Sequence, residues 1–211
     1  VSRIRALPKV ELHRHLEGCI TAEIMIEVAR EHGIKLPSLD LEELRSMIRI
    51  QTPVPLSVFL DKFRLLDGVF PSLEAIDRIS YLVCRDCARD NIRYVELRFS
   101  PSFMTLENRQ SWRELIQHVL RGTLRAEKEF DIETGLIVGV SRSNPIAKAF
   151  EIVEIAEEYC GLGAVGIDLF GDEAAYPPEL FTAAFRAAVE SGLNITVHAG
   201  EGGGETNDRV A

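Results

Sequence analysis

The sequence is poor in the features that would mark several common classes of protein. Only four of its 211 residues are cysteine (Cys19, Cys84, Cys87, Cys160). That is too few and too scattered for a disulfide scaffold, so reduced thiols and a cytoplasmic location are expected. No apolar run approaches the roughly 18–20 residues a bilayer crossing needs, so no membrane partner is expected. The opening residues VSRIRALPKV hold no apolar core of signal-peptide length and do not begin with Met, which predicts a processed, non-secreted chain. Lys and Arg never cluster, and 33 Asp and Glu against 24 Lys and Arg leave a net charge of −9. That balance argues against a nucleic-acid partner, which asks for a basic face, and none is expected. Internal repeats, low-complexity segments and Pro/Gly/Ser-rich linkers are also missing, which predicts one domain over 1–211 and no second one.

What the chain does contain is alternation. Five β-rich runs, KVELHRHL (9–16), IRYVELRFSP (92–101), TGLIVGVSR (134–142), AVGIDLFGD (164–172) and LNITVHAGE (193–201), are separated by helical patterns. The segment AIDRISYLVCRDCARDN spaces Ile76, Ile79, Leu82, Val83 and Cys87 as one helical face. AKAFEIVEIAEEYCGLG stops at glycines, and PPELFTAAFRAAVESGLN opens on prolines and closes on Ser-Gly. Strand and helix in strict turn predict an α/β fold with parallel strands, either an open doubly wound sheet or a (β/α) barrel. The interval from about 20 to 91 is too long for one crossover. It reads as TAEIMIEVAREHG, DLEELRSMIR and PLSVFLDKFRLLDGVF, a helical insertion after the first strand, at the sheet's ligand-binding carboxyl end.

Histidine is scarce too, five in all, and three of the five fall where strands end. His13 and His15 are two apart in an apolar run read as a buried strand, so they share a face while Arg14 points the other way. The pair can ligate one metal through two imidazole nitrogens or can hydrogen-bond within a polar core. His198 closes the fifth run, with Glu201 three residues on among Gly200 and glycines 202–204. A ligand histidine beside a carboxylate able to move protons suits hydrolytic metal chemistry. In GIDLFGDE, Asp168 lies within the fourth run, and Gly171 either offers a ligand an unobstructed N–H or serves an ordinary strand-to-helix turn. Cys84 and Cys87 form a C-x-x-C inside an amphipathic helix without a second pair, so they are expected to pack rather than bind zinc. Val83 stands where the zinc motif of cytidine-type deaminases would have proline. His32 and His118 fall in helical surface patterns and are expected to be exposed and inert.

LPKVELHRHLEG, YVELRFSP, GIDLFGDE and TVHAGE, in this order and spacing, closely resemble the adenosine deaminase family of the amidohydrolase superfamily over the whole chain. The resemblance implies a (β/α)8 TIM-barrel type fold, of which the first five β/α units are present. It implies one Zn2+ per chain and conversion of adenosine and water to inosine and ammonia, a step of purine salvage. By the same resemblance His13, His15 and His198 are zinc ligands, and Glu201 is the acid that protonates N1 of the purine, making C6 electrophilic. Gly171 matches the position whose backbone N–H meets the purine. Phe59, Leu60 and Phe63 match an apolar helix closing over the substrate. Glu17 stands where adenosine deaminases carry an Asp that reaches the ribose. Glu occurs there in relatives acting on other 6-aminopurines, which keeps adenine, N6-modified AMP and aminofutalosine-type nucleosides as alternative substrates.

Such a barrel takes eight strands and about 250 residues. The family's second half carries a further histidine and an adjacent Asp pair, none of them in this sequence. These 211 residues are therefore expected to be the N-terminal part of a longer deaminase, and the isolated chain is expected to be catalytically incomplete. A catalytically dead binding module is the non-enzyme alternative. Retention of Glu201, for which such a module has no chemical need, argues against it.

Overall fold

In a computed structural model the described residues are 2–54, 68–104 and 111–201. The elements are α1 (Ser2–Ala6), β1 (Lys9–His15), α2 (Ala22–His32), α3 (Leu41–Ile48), α4 (Leu73–Arg89), β2 (Ile92–Phe99), α5 (Pro101–Met104), α6 (Trp112–Glu129), β3 (Glu133–Ser141), α7 (Ile146–Glu158), β4 (Ala164–Phe170), α8 (Thr182–Glu190) and β5 (Asn194–Val197). The five strands lie in chain order in one sheet. β3 pairs with β4 and β4 with β5, both parallel, as the strand–helix alternation predicts. Each predicted β run contains a strand. The short helices α1 and α5 were not predicted, being too short for a hydrophobic period to show. No helix among the described residues is long and apolar enough to cross a membrane. The chain gathers into two compact units, Val1–Val95 with Met104–Thr134, and Glu96–Phe103 with Gly135–Ala211.

In the first unit the helices start where side-chain oxygens satisfy free N–H groups. Thr21 caps α2, Asp40 caps α3 through the Glu43 N–H at 2.8 Å, and Ser111 and Glu114 close a reciprocal capping box on α6. α2 stops at Gly33, whose φ of 69° is left-handed. α4 and α6 pack closely because Gly122 has no side chain. A Cβ there would lie 2.3 Å from the Asp77 carbonyl and 2.8 Å from Ser80 Cβ. Asp77 is buried at this crossing and receives Arg125 at 2.8 Å and Arg121 from α6. Arg78 ties α4 to α2 through Glu27 at 2.7 Å and Glu31 at 2.8 Å.

Two expectations are corrected here. β1 is not a buried strand: Val10 is 64% and Leu12 54% exposed, and His13 is exposed. Apolar composition implies burial only where a layer covers that face. His32 and His118 are half-buried rather than exposed, and Nδ1 of His118 is buried. Each lies at the border of its helix's apolar face, where sequence period assigns sides poorly.

In the second unit α7 buries Ala149, Ile152, Val153 and Ala156, the inward set of a helix covering parallel strands. Gly161 (φ 76°) and Gly163 (φ 125°) then turn the chain into β4. The Pro-led segment begins with a 3-10 turn, Pro178–Phe181, before α8. On β3, Gly139 pairs in register with Asp168 of β4. Its missing side chain leaves room for the Phe170 ring, which would otherwise meet a Cβ at 2.7 Å. That ring stands edge-on to His198, with centroids 6.5 Å apart.

Candidate functional site

The carboxyl end of the second unit's strands is where charge is buried. Asp168 lies in β4 with no solvent exposure. An ionised carboxylate survives there only if it is paired and hydrogen-bonded. It has three partners. Oδ1 accepts from Thr196 Oγ1 at 2.8 Å and lies 3.3 Å from Arg98 Nη1, and Oδ2 is 2.9 Å from His198 Nδ1. Thr196 reaches it because the two residues are register partners across β4 and β5. Burial by itself raises the carboxyl pKa, but His198, Thr196 and Arg98 outweigh it and hold the group below its ordinary value.

His198 follows β5 directly, and its N–H donates to the Leu169 carbonyl at 2.8 Å, extending the ladder by one residue. Its side chain is 8% exposed. With a carboxylate oxygen facing Nδ1, that nitrogen is where the proton belongs, and Nε2 keeps its lone pair. A carboxylate-backed imidazole with a fixed tautomer suits a metal ligand. The same turn is held by two further side chains. Arg142, fully buried, donates from Nη2 to the His198 carbonyl and from Nη1 to the Tyr176 carbonyl, both at 2.8 Å. Glu173, 3% exposed, accepts the Gly200 N–H at 3.0 Å. Gly171 has φ 111°, a conformation that favours glycine, and the nearest atom to an added Cβ would be 3.6 Å away. Backbone geometry rather than crowding thus selects glycine there. Glu201 is exposed at the end of this turn.

In the first unit β1 presents His13 and His15 on one face, ring centroids 5.5 Å apart and tilted by 43°, as strand alternation predicts. Arg14 points the other way and donates from Nη1 to Cys87 Sγ at 2.9 Å. Cys84 and Cys87 are both buried and unpaired as disulfides, in keeping with packing. Glu17 is 6% exposed in a 3-10 turn just past β1. Phe59, Leu60, Phe63 and glycines 202–204 lie outside the described residues. Imidazole nitrogens are ligands of the kind zinc takes, and each unit offers them: two rings on one strand face in the first, one ring backed by a carboxylate in the second.

Sequence reasoning missed Arg98, Thr196 and Arg142, and placed Asp168 and Glu173 in GIDLFGDE without giving either a role. A signal existed. Arg98 and Asp168 are charges inside otherwise apolar strand runs, and a charge in such a place must have a partner.

A family model described as adenosine deaminase matches residues 8–208. An adenosine deaminase of Clostridium botulinum (strain 657 / Type Ba4) is 36% identical over 200 residues, covering 94% of this chain and 60% of that protein. The crystal structure of an N6-mAMP deaminase from Arabidopsis is similar at a TM-score of 0.82 and 28% identity, over 100% of this chain and 64% of that one. An amidohydrolase from Burkholderia ambifaria with bound Zn is similar at a TM-score of 0.80 and 28% identity, over 94% of this chain and 54% of that one. The fold is accordingly of the (β/α) TIM-barrel type, represented by five of its β/α units. The chain spans about three fifths of the length of the curated relative it matches.

Proposed function

From the premise that this chain belongs to the adenosine deaminase family, we propose that the whole protein hydrolyses adenosine to inosine and ammonia with one zinc ion. His13, His15 and His198 are the zinc ligands this chain contributes. The ion supplies Lewis acidity that makes a water molecule nucleophilic near neutral pH. The support that lies closest to the chemistry is the orientation of His198, whose Nδ1 is 2.9 Å from a buried carboxylate. That contact keeps the proton on Nδ1 and leaves Nε2 available.

The remaining roles fall to further groups of this chain. Glu201 donates a proton to N1 of the purine, which draws electron density from C6 and opens it to attack. Gly171 turns a backbone N–H towards the purine from its left-handed conformation. Glu17 contacts the sugar. Phe59, Leu60 and Phe63 close an apolar side over the ring.

The test is ammonia release from adenosine by the purified whole protein, with metal content measured on the same sample. Adenosine turnover with about one zinc per chain is expected, and His198→Ala is expected to lose both. An active protein without metal would overturn the proposal. A second reading keeps the chemistry on N6-modified AMP. It is favoured by the likeness to the Arabidopsis enzyme and by a glutamate at position 17. Rates on adenosine, adenine and N6-methyl-AMP separate the two, because a site that hydrogen-bonds one sugar substituent rejects analogues lacking it.

A further inference from the structure

A turn reading HAGE, with glycine between its two functional side chains, has little stiffness of its own. Proton transfer to a ring nitrogen nevertheless requires the acid to be held within hydrogen-bond reach. Two buried side chains of the second unit take hold of this turn at separate points. Arg142 bonds the His198 carbonyl with Nη2 and the Tyr176 carbonyl with Nη1, and its own N–H donates to the Phe170 carbonyl at 2.9 Å. Glu173 holds the Gly200 N–H, the residue directly before Glu201. Asp172 Oδ1 in turn accepts the N–H groups of Ala174 and Ala175, at 3.1 and 3.0 Å, so the segment bearing Glu173 is itself braced. Burying a guanidinium is costly, and burial lowers the Arg142 pKa, with Glu173, Asp168 and Glu179 acting the other way. An apolar side chain could fill that space but could not bond two carbonyls in fixed directions, which the planar fork of Arg does.

We propose that Arg142 and Glu173 are positioning residues that lock the His198–Glu201 turn onto the Gly171–Tyr176 segment. Arg142 acts through His198 and Glu173 through Glu201. The purine contact at Gly171 and the acid at Glu201 are thereby kept in one fixed relation. This rests on the roles given to His198 and Glu201 above.

The two side chains should fail differently, and the whole protein tests this. In Glu173→Ala the Gly200 amide loses its acceptor and is expected to exchange with solvent about tenfold faster or more. A small displacement of the acid should lower kcat about 10- to 100-fold, with KM and zinc content per chain little changed. Glu173→Gln keeps a side-chain oxygen at the same reach and should recover most of that loss. Arg142→Lys replaces a two-pronged donor by a single one and should release zinc to a chelator about tenfold faster. If Glu173→Ala does not fold, Glu173→Asp, which draws the carboxylate back by one methylene, gives the same exchange readout. Wild-type exchange at Gly200 in both Ala and Asp variants would overturn the proposal. So would a Gln variant as impaired as Ala, or zinc lost from Glu173→Ala in step with activity. Exchange and zinc release need no substrate. A wild-type protein inactive on every purine would remove the functional reading while the clamp still stood or fell on those two measurements.

Discussion

β1 and β5 both deliver imidazoles at their carboxyl ends, and they place them by different means. On β1 the strand's two-residue period puts His13 and His15 on one face, where His13 is exposed and His15 half-buried. The strand is anchored from behind, through Arg14 to Cys87 of α4. On β5 the ring itself is held: His198 is almost fully covered, its Nδ1 faces Asp168, and its backbone is bonded to Leu169 and Arg142. Alternation decides which side of a sheet a ring occupies. Which of its nitrogens carries the proton is decided by whatever faces it.

If that contrast is right, removing the partner of the ring should hurt metal binding far more than removing the anchor of the strand. Asp168→Asn is expected to have the larger effect. The neutral amide no longer fixes the His198 tautomer and removes the charge facing Arg98 at 3.3 Å. Zinc affinity should fall about 10- to 100-fold, read by competition with a chelator. An unchanged affinity would remove Asp168 from the site. Cys87→Ala comes next. It takes from Arg14 the acceptor behind β1 and should lower stability by about 1–2 kcal/mol in urea unfolding. Zinc affinity should stay near wild type, and a parallel loss would erase the distinction drawn between the two strands.

The smallest effect concerns the thiols behind β1. Burial, the largest cause, pushes the Cys19 thiol up to about 12 and raises Cys84 and Cys87 as well, whereas Cys160 is exposed. Alkylation of the native protein at about pH 8 should therefore mark Cys160 first and leave the other three. The sign of the pH dependence follows from the same shift. A thiol that holds its proton more tightly when folded leaves stability unaffected below its unfolded pKa of about 8.5. Above that, stability declines as pH rises towards the folded value of about 12. Cys19→Ala should flatten the decline, as followed by thermal melting across that range.

The strands and the longer described helices were readable because period, caps and glycine stops are local. Thr21, Asp40 and Ser111 sit where helix starts need an oxygen, and Gly33 sits where α2 needs a left-handed residue. The sharing of a face by His13 and His15, and the packing role of the C-x-x-C, were readable for the same reason. The exposure of Val10 and Leu12 was not, since it depends on what lies over the strand rather than on the strand.

The sequence by itself determined the order and type of the strands and of the longer helices, the acidic balance of charge, and the residue types able to hold zinc and move a proton. Only the tertiary structure decided how His198 is held. Asp168, Arg98, Arg142 and Glu173 come to its surroundings from separate stretches of chain, up to 100 positions away. Asp168 and Arg142 bond it directly, Thr196 and Arg98 hold Asp168, and Glu173 holds Gly200; these contacts depend on strand register and on burial, neither of which a local pattern of residues records.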